Sequence, residues 1–145
     1  MKRDLNHNLR AEITDLLVAV KFAKDDEDAK RFEACWAQDA RIEITSNGNE
    51  LPLVEGRDAI MTFYSRVWKT GGHGKGASRE VHIAEPADIV TLTPDRLHVR
   101  HAESFFFADT SGPRLRGFGT FEDTVVREDG GWRIVHRRAA LIRNS

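Results

Sequence analysis

Two stretches in the second half of the chain place ionisable side chains among apolar ones. From Leu97 to Phe107 the residues alternate: Leu97, Val99, His101, Glu103, Phe105 and Phe107 share one face of a strand, and His98, Arg100, Ala102, Ser104 and Phe106 the other. The first face is the more apolar and is predicted to turn inward, carrying His101 and Glu103 with it. The next stretch repeats the pattern. Leu115, Gly117, Gly119, Phe121, Asp123 and Val125 share an inward face, with Arg116, Thr120, Glu122 and Thr124 on the more polar one. Buried ionisable groups are costly unless paired, and they concentrate at functional sites. Asp123 and His101 can therefore be read as a proton-transfer pair. Equally, Asp123 can be the structural ion-pair partner of Arg137 or Arg138 on the last strand. A two-residue turn at Asp129-Gly130 sets Asp123 opposite His136, and a one-residue slip sets it opposite Arg137. The local pattern leaves that choice open. Gly117 and Gly119 withhold side-chain volume on the inward face, for strand bending or for a ligand.

Other chemistries fit less well. The run Gly71-Gly72-His73-Gly74-Lys75-Gly76 lacks the Ser or Thr after Gly-Lys that a phosphate loop needs, and it follows a helix. It reads as a surface loop or pocket lid. His98 and His101 lie three apart on a strand and point to opposite faces, so no metal site is expected. Cys35 falls on the apolar side of a helix and reads as a small core residue. No Gly-x-Ser-x-Gly nucleophile elbow occurs.

The elements that must position these residues follow from periodicity. Leu9, Ile13, Leu16, Leu17, Val20 and Ala23 recur at helical spacing, predicting a helix from Leu9 to Lys24. Asp28 suits an N-cap for a second helix, Ala29 to Trp36, with Phe32, Cys35 and Trp36 apolar. Arg41 to Thr45 alternates as a strand, and Asn47-Gly48-Asn49 is a turn. A third helix fits Arg57 to Trp68. Five strands follow: Arg79–Ala84, Ala87–Thr93, Arg96–Phe107, Leu115–Arg127 and Trp132–Ile142. Within the first of these, alternation sets His82 opposite Val81 and Ile83, on the solvent side unless the strand bulges. Helices followed by long strands on short turns predict an α+β class: a cone-shaped, curved antiparallel sheet packed on three N-terminal helices. The apolar residues on the facing surfaces, Val20, Phe32, Trp36, Phe63, Trp68, Phe105 and Phe121, are expected to line a pocket.

The 145 residues suit one domain, 1–145, with a real core. Twenty-two basic side chains nearly cancel twenty-three acidic ones, for a formal net charge of −1, which argues against nucleic-acid binding. No apolar run is long enough to span a membrane. The N-terminal Met1-Lys2-Arg3-Asp4 leads into a polar stretch and not an apolar signal region. A lone cysteine excludes an internal disulfide and points to a reducing, cytoplasmic compartment. Phe106 and Phe118 on outward faces point to a homodimer through the sheet.

Taken in order, several segments resemble the SnoaL-like branch of the nuclear transport factor 2 superfamily. They are Ile13-Thr14-Asp15-Leu16-Leu17, the Asp25 and Asp28 pair, Phe32 with Trp36-Ala37-Gln38-Asp39-Ala40-Arg41, Glu55-Gly56-Arg57-Asp58-Ala59-Ile60, Gly119-Thr120-Phe121-Glu122-Asp123, and Asp129-Gly130-Gly131-Trp132-Arg133-Ile134 with Arg137. The C-terminal segment also looks like the small β subunit of ring-hydroxylating dioxygenases. That family includes polyketide cyclases, scytalone dehydratase, isomerase-like enzymes and noncatalytic members, so fold alone does not settle function. In dehydratase-like members a tyrosine late in the first helix acts with an aspartate five residues on and a strand histidine. The resemblance puts the aspartate at Asp25, the histidine near Val81 or His82, and Val20 where the tyrosine stands. It implies cofactor-free proton transfer on a small apolar, aromatic or polycyclic molecule, as in a lyase or isomerase. On that reading Asp25 would be the base or would orient one, His82 or His101 would be the partner acid, and Asp123 would be a support. Glu103 and Arg137 complete the expected pocket. The alternatives are a noncatalytic binding or assembly module, or an oxygenase small-subunit-like partner.

Overall fold

A computed structural model describes residues 6–70 and 79–144 of the chain. The run Gly71–Gly76, expected as a loop or lid, lies outside the described residues.

Helix α1 spans His7–Asp25 and opens on Asn6, whose side chain accepts the Leu9 N–H. Its buried stripe is Ile13, Leu16, Val20 and Ala23, as the spacing predicted. Asp28 caps α2, Ala29–Glu33, by accepting the Arg31 N–H at 3.0 Å. That helix stops three residues short of the expected Trp36. Strand β1 instead begins at Trp36 and runs to Ser46. Trp36 pairs across to Ile134, so the ladder with the last strand claims residues that the apolar spacing assigned to a helix. Two short strands, β2 (Asn49–Glu50) and β3 (Val54–Glu55), fold back on β1 before helix α3, Arg57–Thr70.

The remaining strands are β4 (Arg79–Ala84), β5 (Asp88–Thr93), β6 (Arg96–Asp109), β7 (Gly112–Glu128) and β8 (Gly131–Arg143). They form one sheet in the order β2-β1-β8-β7-β6-β4, with β5 also on β6 and β3 on β1. The α+β class holds, with one departure from a fully antiparallel sheet. β1 lies parallel to β8, while the other pairs are antiparallel. All three helices pack against the same curved sheet or one another, and the core between them holds Ile13, Phe32, Trp36, Ile42, Ile60, Leu97, Val99 and Ile134.

Two bulges decide which side chains face that core. The β7–β8 hairpin turns at Asp129-Gly130, both at positive φ, as a two-residue turn should. Its register then shifts: Val125 pairs with Ile134 but Thr124 with His136. Val135 is the extra residue. Beyond it Arg137, and not His136, shares the inner face and pairs with Asp123. On β7, Phe105 pairs with Gly117 but Phe106 with Leu115, so Arg116 is an extra residue too. That bulge turns Leu115 outward, to 53% exposure, where unbroken alternation placed it inward, and brings the still exposed Arg116 within 3.9 Å of Glu80.

Gly117 serves the backbone and not a ligand. A Cβ there would lie 2.1 Å from the Ile142 carbonyl oxygen. The space above Gly119 is filled by Leu141, Phe105 and Phe121. Gly117→Ala is therefore expected to destabilise the protein by at least about 1–3 kcal/mol through backbone displacement. Thermal unfolding should show a midpoint several degrees lower, and an unchanged midpoint would contradict the close β7–β8 approach.

Candidate functional site

The site begins where α1 meets the edge strand β4. An edge strand leaves every other N–H and C=O unpaired. Here the last turn of α1 satisfies them. Asp25 Oδ2 accepts the His82 backbone N–H at 3.0 Å, and Lys21 Nζ donates to the His82 carbonyl at 3.1 Å. The same Asp25 holds the ring, with Nδ1 to Oδ1 at 2.5 Å. An ionised carboxylate only accepts, so this contact assigns the proton to Nδ1. In the neutral ring Nε2 is then the acceptor nitrogen, with Glu80 Oε1 3.6 Å away. The ring meets Phe105 edge-on, 4.7 Å between centroids.

His82 thus faces inward, at 4% exposure, while Ile83 is 57% exposed. That corrects the expectation from apolar alternation. The strand pairs regularly with β6 across this stretch, so no bulge is involved. Glu80 shares the inner face and is also buried. Its Oε1 lies 3.6 Å from His82 Nε2 and accepts from Arg143 at 2.7 Å, while Arg116 stands 3.9 Å from Oε2. The polar grip of α1 and β8 on Glu80 and His82 outweighs the small gain from burying Val81 and Ile83.

These residues open on a cavity of about 470 Å³ between α3 and the sheet. Its walls include Lys24, Phe63, Tyr64, His82, Phe105 and Phe121. Phe63, Phe105 and Phe121 were expected there. Val20, Phe32 and Trp36 were also expected as lining, but they are at most 2% exposed and belong to the packed core. They sit behind the wall because α2 ends early and the Phe32 ring packs at tilted or edge-on angles against Trp36, Tyr64 and Trp68. Trp68 likewise stays out of the lining, its indole N–H donating to the Lys24 carbonyl at 2.9 Å. A larger, open depression of about 700 Å³ lies on the exposed side of the sheet, among Leu51, Leu53, Arg100, Glu122 and Arg138. It contains neither Asp25 nor His82.

His101, Glu103 and Asp123 are all buried on the inner face, as alternation predicted. His101 and Asp123 form a second cluster that does not line the cavity. Arg137 Nε and Nη2 donate to the two Asp123 oxygens at 2.8 Å each, and His101 Nε2 meets Oδ2 at 2.9 Å. His101 stacks on Phe121, and the Arg137 guanidinium lies over Trp36 and Phe121. Glu103 stands between the clusters, 3.5 Å from Lys24 Nζ.

The electrostatics separate the two groups. Burial and then the Lys24 charge push the His82 pKa down, against the pull of Asp25. Asp25 itself is held below the usual carboxylate range by His82 despite its burial. Asp123 is held far below that range by Arg137 and His101, again against burial. A neutral imidazole fixed by a carboxylate beside an apolar cavity can accept a proton. Among the described residues no three His, Cys, Asp or Glu side chains are grouped to hold a metal.

A family model for the SnoaL-like domain matches residues 7–138. The chain belongs to the SnoaL-like family. Comparison with curated proteins gives no significant match. Solved structures give the fold. A protein from Catenulispora acidiphila in complex with S-DNPA is similar at 14% identity, covering 94% of this chain and 95% of that one, with a TM-score of 0.78. The β subunit assigned to an aromatic-ring-hydroxylating dioxygenase of Novosphingobium aromaticivorans is 14% identical over 95% of this chain and 92% of its own, TM-score 0.77. A protein of the same organism assigned as a scytalone dehydratase is 18% identical over 92% and 84%, TM-score 0.75. Others carry the descriptions cystatin-like and NTF2-like. The SnoaL-like chain departs from the dehydratase pattern at Val20, which lies buried in the core at 2% exposure. Glu80, Lys24, Tyr64, Arg116 and Arg143 were missed in the sequence. The one available signal was that Glu80 and His82 share a face of their strand.

The shifts carry a pH signature. A depressed folded-state pKa means the unfolded chain binds the proton first, so stability falls as pH drops below the unfolded value. For His82 that decline starts near its ordinary 6.5, and for Asp123 and Asp25 near 3.8. Urea unfolding should therefore show stability lost in two stages on acidification. His82→Gln should remove the first stage and keep the second, and persistence of the first would assign it to another group.

Proposed function

We propose that this SnoaL-like protein is a cofactor-independent lyase or isomerase acting on a small apolar cyclic molecule. The observation that carries the reading is the double contact of Asp25 with His82, at the backbone N–H and at Nδ1, on the wall of the cavity. In this reading Asp25 orients the imidazole and His82 Nε2 moves the proton. Burial keeps His82 neutral, which is the state a base requires. Phe63, Phe105 and Phe121 supply apolar walls, and a volume of about 470 Å³ suits a two- or three-ring ligand. His101, Asp123 and Arg137 hold the sheet beneath the site, and Glu103 links them to Lys24. The protein assigned as a scytalone dehydratase and the one bound to S-DNPA share this fold, in keeping with chemistry in a cavity.

Val20 favours a second reading, a binding module or an oxygenase small-subunit-like partner. It places no proton donor where dehydratase-like relatives have a tyrosine. Screening purified protein by melting temperature against hydroxylated aromatic, polyketide and steroid-like compounds supplies ligands for the test. Asp25→Asn and His82→Gln are each expected to lower turnover about 10²–10⁴-fold while ligand binding persists. Ligands that bind without ever being transformed, with Asp25→Asn altering stability alone, would make Asp25 an edge-strand cap and favour the module.

Self-association through the exposed sheet face completes the proposal. Leu115, Phe118 and Ile142 are each about half exposed there, at 53%, 50% and 49%. Phe106, expected beside them, is half-buried. Light scattering at micromolar concentration should give the mass of two chains, and Phe118→Glu should give one. A wild-type monomer mass rules the dimer out. No helix among the described residues is long and apolar enough to cross a membrane. The buried, unpaired Cys35 agrees with a reducing, cytoplasmic setting.

A further inference from the structure

Lys24 is 8% exposed and lines the cavity beside His82. Lysine is almost never so buried without a partner. Its backbone is held in place, because its carbonyl accepts the Trp68 indole N–H at 2.9 Å. Glu103 stands behind its ammonium at 3.5 Å. The two charges attract through space, yet Glu103 Oε2 has no hydrogen-bond partner among the described residues. The ammonium carries three N–H donors, and a single carboxylate at 3.5 Å does not engage all of them. The cavity is the direction from which an acceptor can arrive.

The other cations of the cavity are differently placed. Arg143 is committed to Glu80 at 2.7 Å. Arg116 is 50% exposed, so water screens its charge. Lys24 lies deeper, where a charge acts through less water and counts for more.

We infer that Lys24 is the electrophile of this site: its ammonium, braced by Glu103, binds the oxyanion of a phenolic or enolisable ring-ketone ligand while His82 handles the proton. Glu103 faces the ammonium at 3.5 Å, an arrangement that suits electrostatic stabilisation and not imine formation. The step balances without a co-reactant. His82 Nε2 takes the proton next to the carbonyl, the C–H electron pair forms a carbon–carbon double bond, and the carbonyl oxygen becomes an oxyanion beside Lys24. Return of the proton at another carbon gives an isomer. Alternatively the enolate re-forms its carbonyl and expels a β-hydroxyl, which takes the proton from His82 and leaves as water. The catalytic part rests on the proton-transfer reading above, and the oxyanion site can be tested apart from it.

The probe is 4-nitrophenol, whose phenol and phenolate forms absorb differently. Bound to the wild-type protein it should ionise at a pH lower than in water by about one unit or more, because the ammonium favours phenolate. Lys24→Met should reverse the shift, since an apolar cavity disfavours the anion, and Lys24→Arg should restore it in part. Lys24→Met leaves Glu103 as an unpaired buried charge. The pair Lys24→Met with Glu103→Gln removes both charges and carries the same expectation if the single variant does not fold. The shift should persist in His82→Gln, so loss of turnover there with the shift retained separates the two roles. The proposal is overturned if wild type and the double variant titrate the bound probe alike, or if wild type does not bind it.

Discussion

The buried pair of Asp123 and Arg137 is the constraint around which the inner face is arranged. Two charges taken out of water are tolerable only with close geometry and further hydrogen bonds. Both conditions are met: two 2.8 Å contacts, a third from His101, and three aromatic or imidazole planes packed around them. Satisfying that pair requires Arg137 on the inner face, and this is what the bulge at Val135 accomplishes. The register of β7 on β8 follows. With it follow the parallel seat of β1 beside β8 and the outward placement of His136 against Glu43.

Around this anchor each buried carboxylate lies between two basic side chains. Glu103 lies between Lys24 and Arg137, Asp25 between Lys21 and His82, and Glu80 between His82 and Arg143. Such placement lets a small domain keep several carboxylates out of water, since each is offset by a cation or a hydrogen-bonding neighbour. It also gives the two histidines different surroundings. His101 is locked between Asp123 and the Phe121 ring, away from the cavity. His82 stands at the cavity wall with its proton acceptor fixed by Asp25. The same inward residue type therefore serves structure in one place and is offered for chemistry in the other.

Membership of the SnoaL-like family accounts for the fold and leaves the chemistry to the particular side chains on it. In this chain the side chains near the cavity are Lys24, Asp25, Glu80 and His82, contributed by the end of α1 and by an edge strand. Both are held by the contact that covers the strand's edge. Edge protection and site assembly are thus one arrangement: Asp25 closes a backbone N–H that would otherwise be open to pairing, and in doing so aims the imidazole.

The order of helices and strands, the Asp28 cap, the two-residue turn at Asp129-Gly130 and the inward face of β6 were all legible in the sequence. Each depends on neighbours within a few residues, where the periods of 3.6 and 2 apply directly. Trp36 was misread because an apolar residue four places after Phe32 fits a helix as well as a strand start, and only pairing with Ile134 decides between them. His82 was misread because the apolar count on a six-residue strand is weak beside two backbone contacts and a side-chain hydrogen bond reaching it from α1. Arg116 and Arg137 depended on single inserted residues. Each bulge resets the alternation beyond it, and the sequence carries no mark of where a ladder slips. Which charges meet therefore had to be decided by tertiary contact, because burial of a charge is permitted only where its partner already stands.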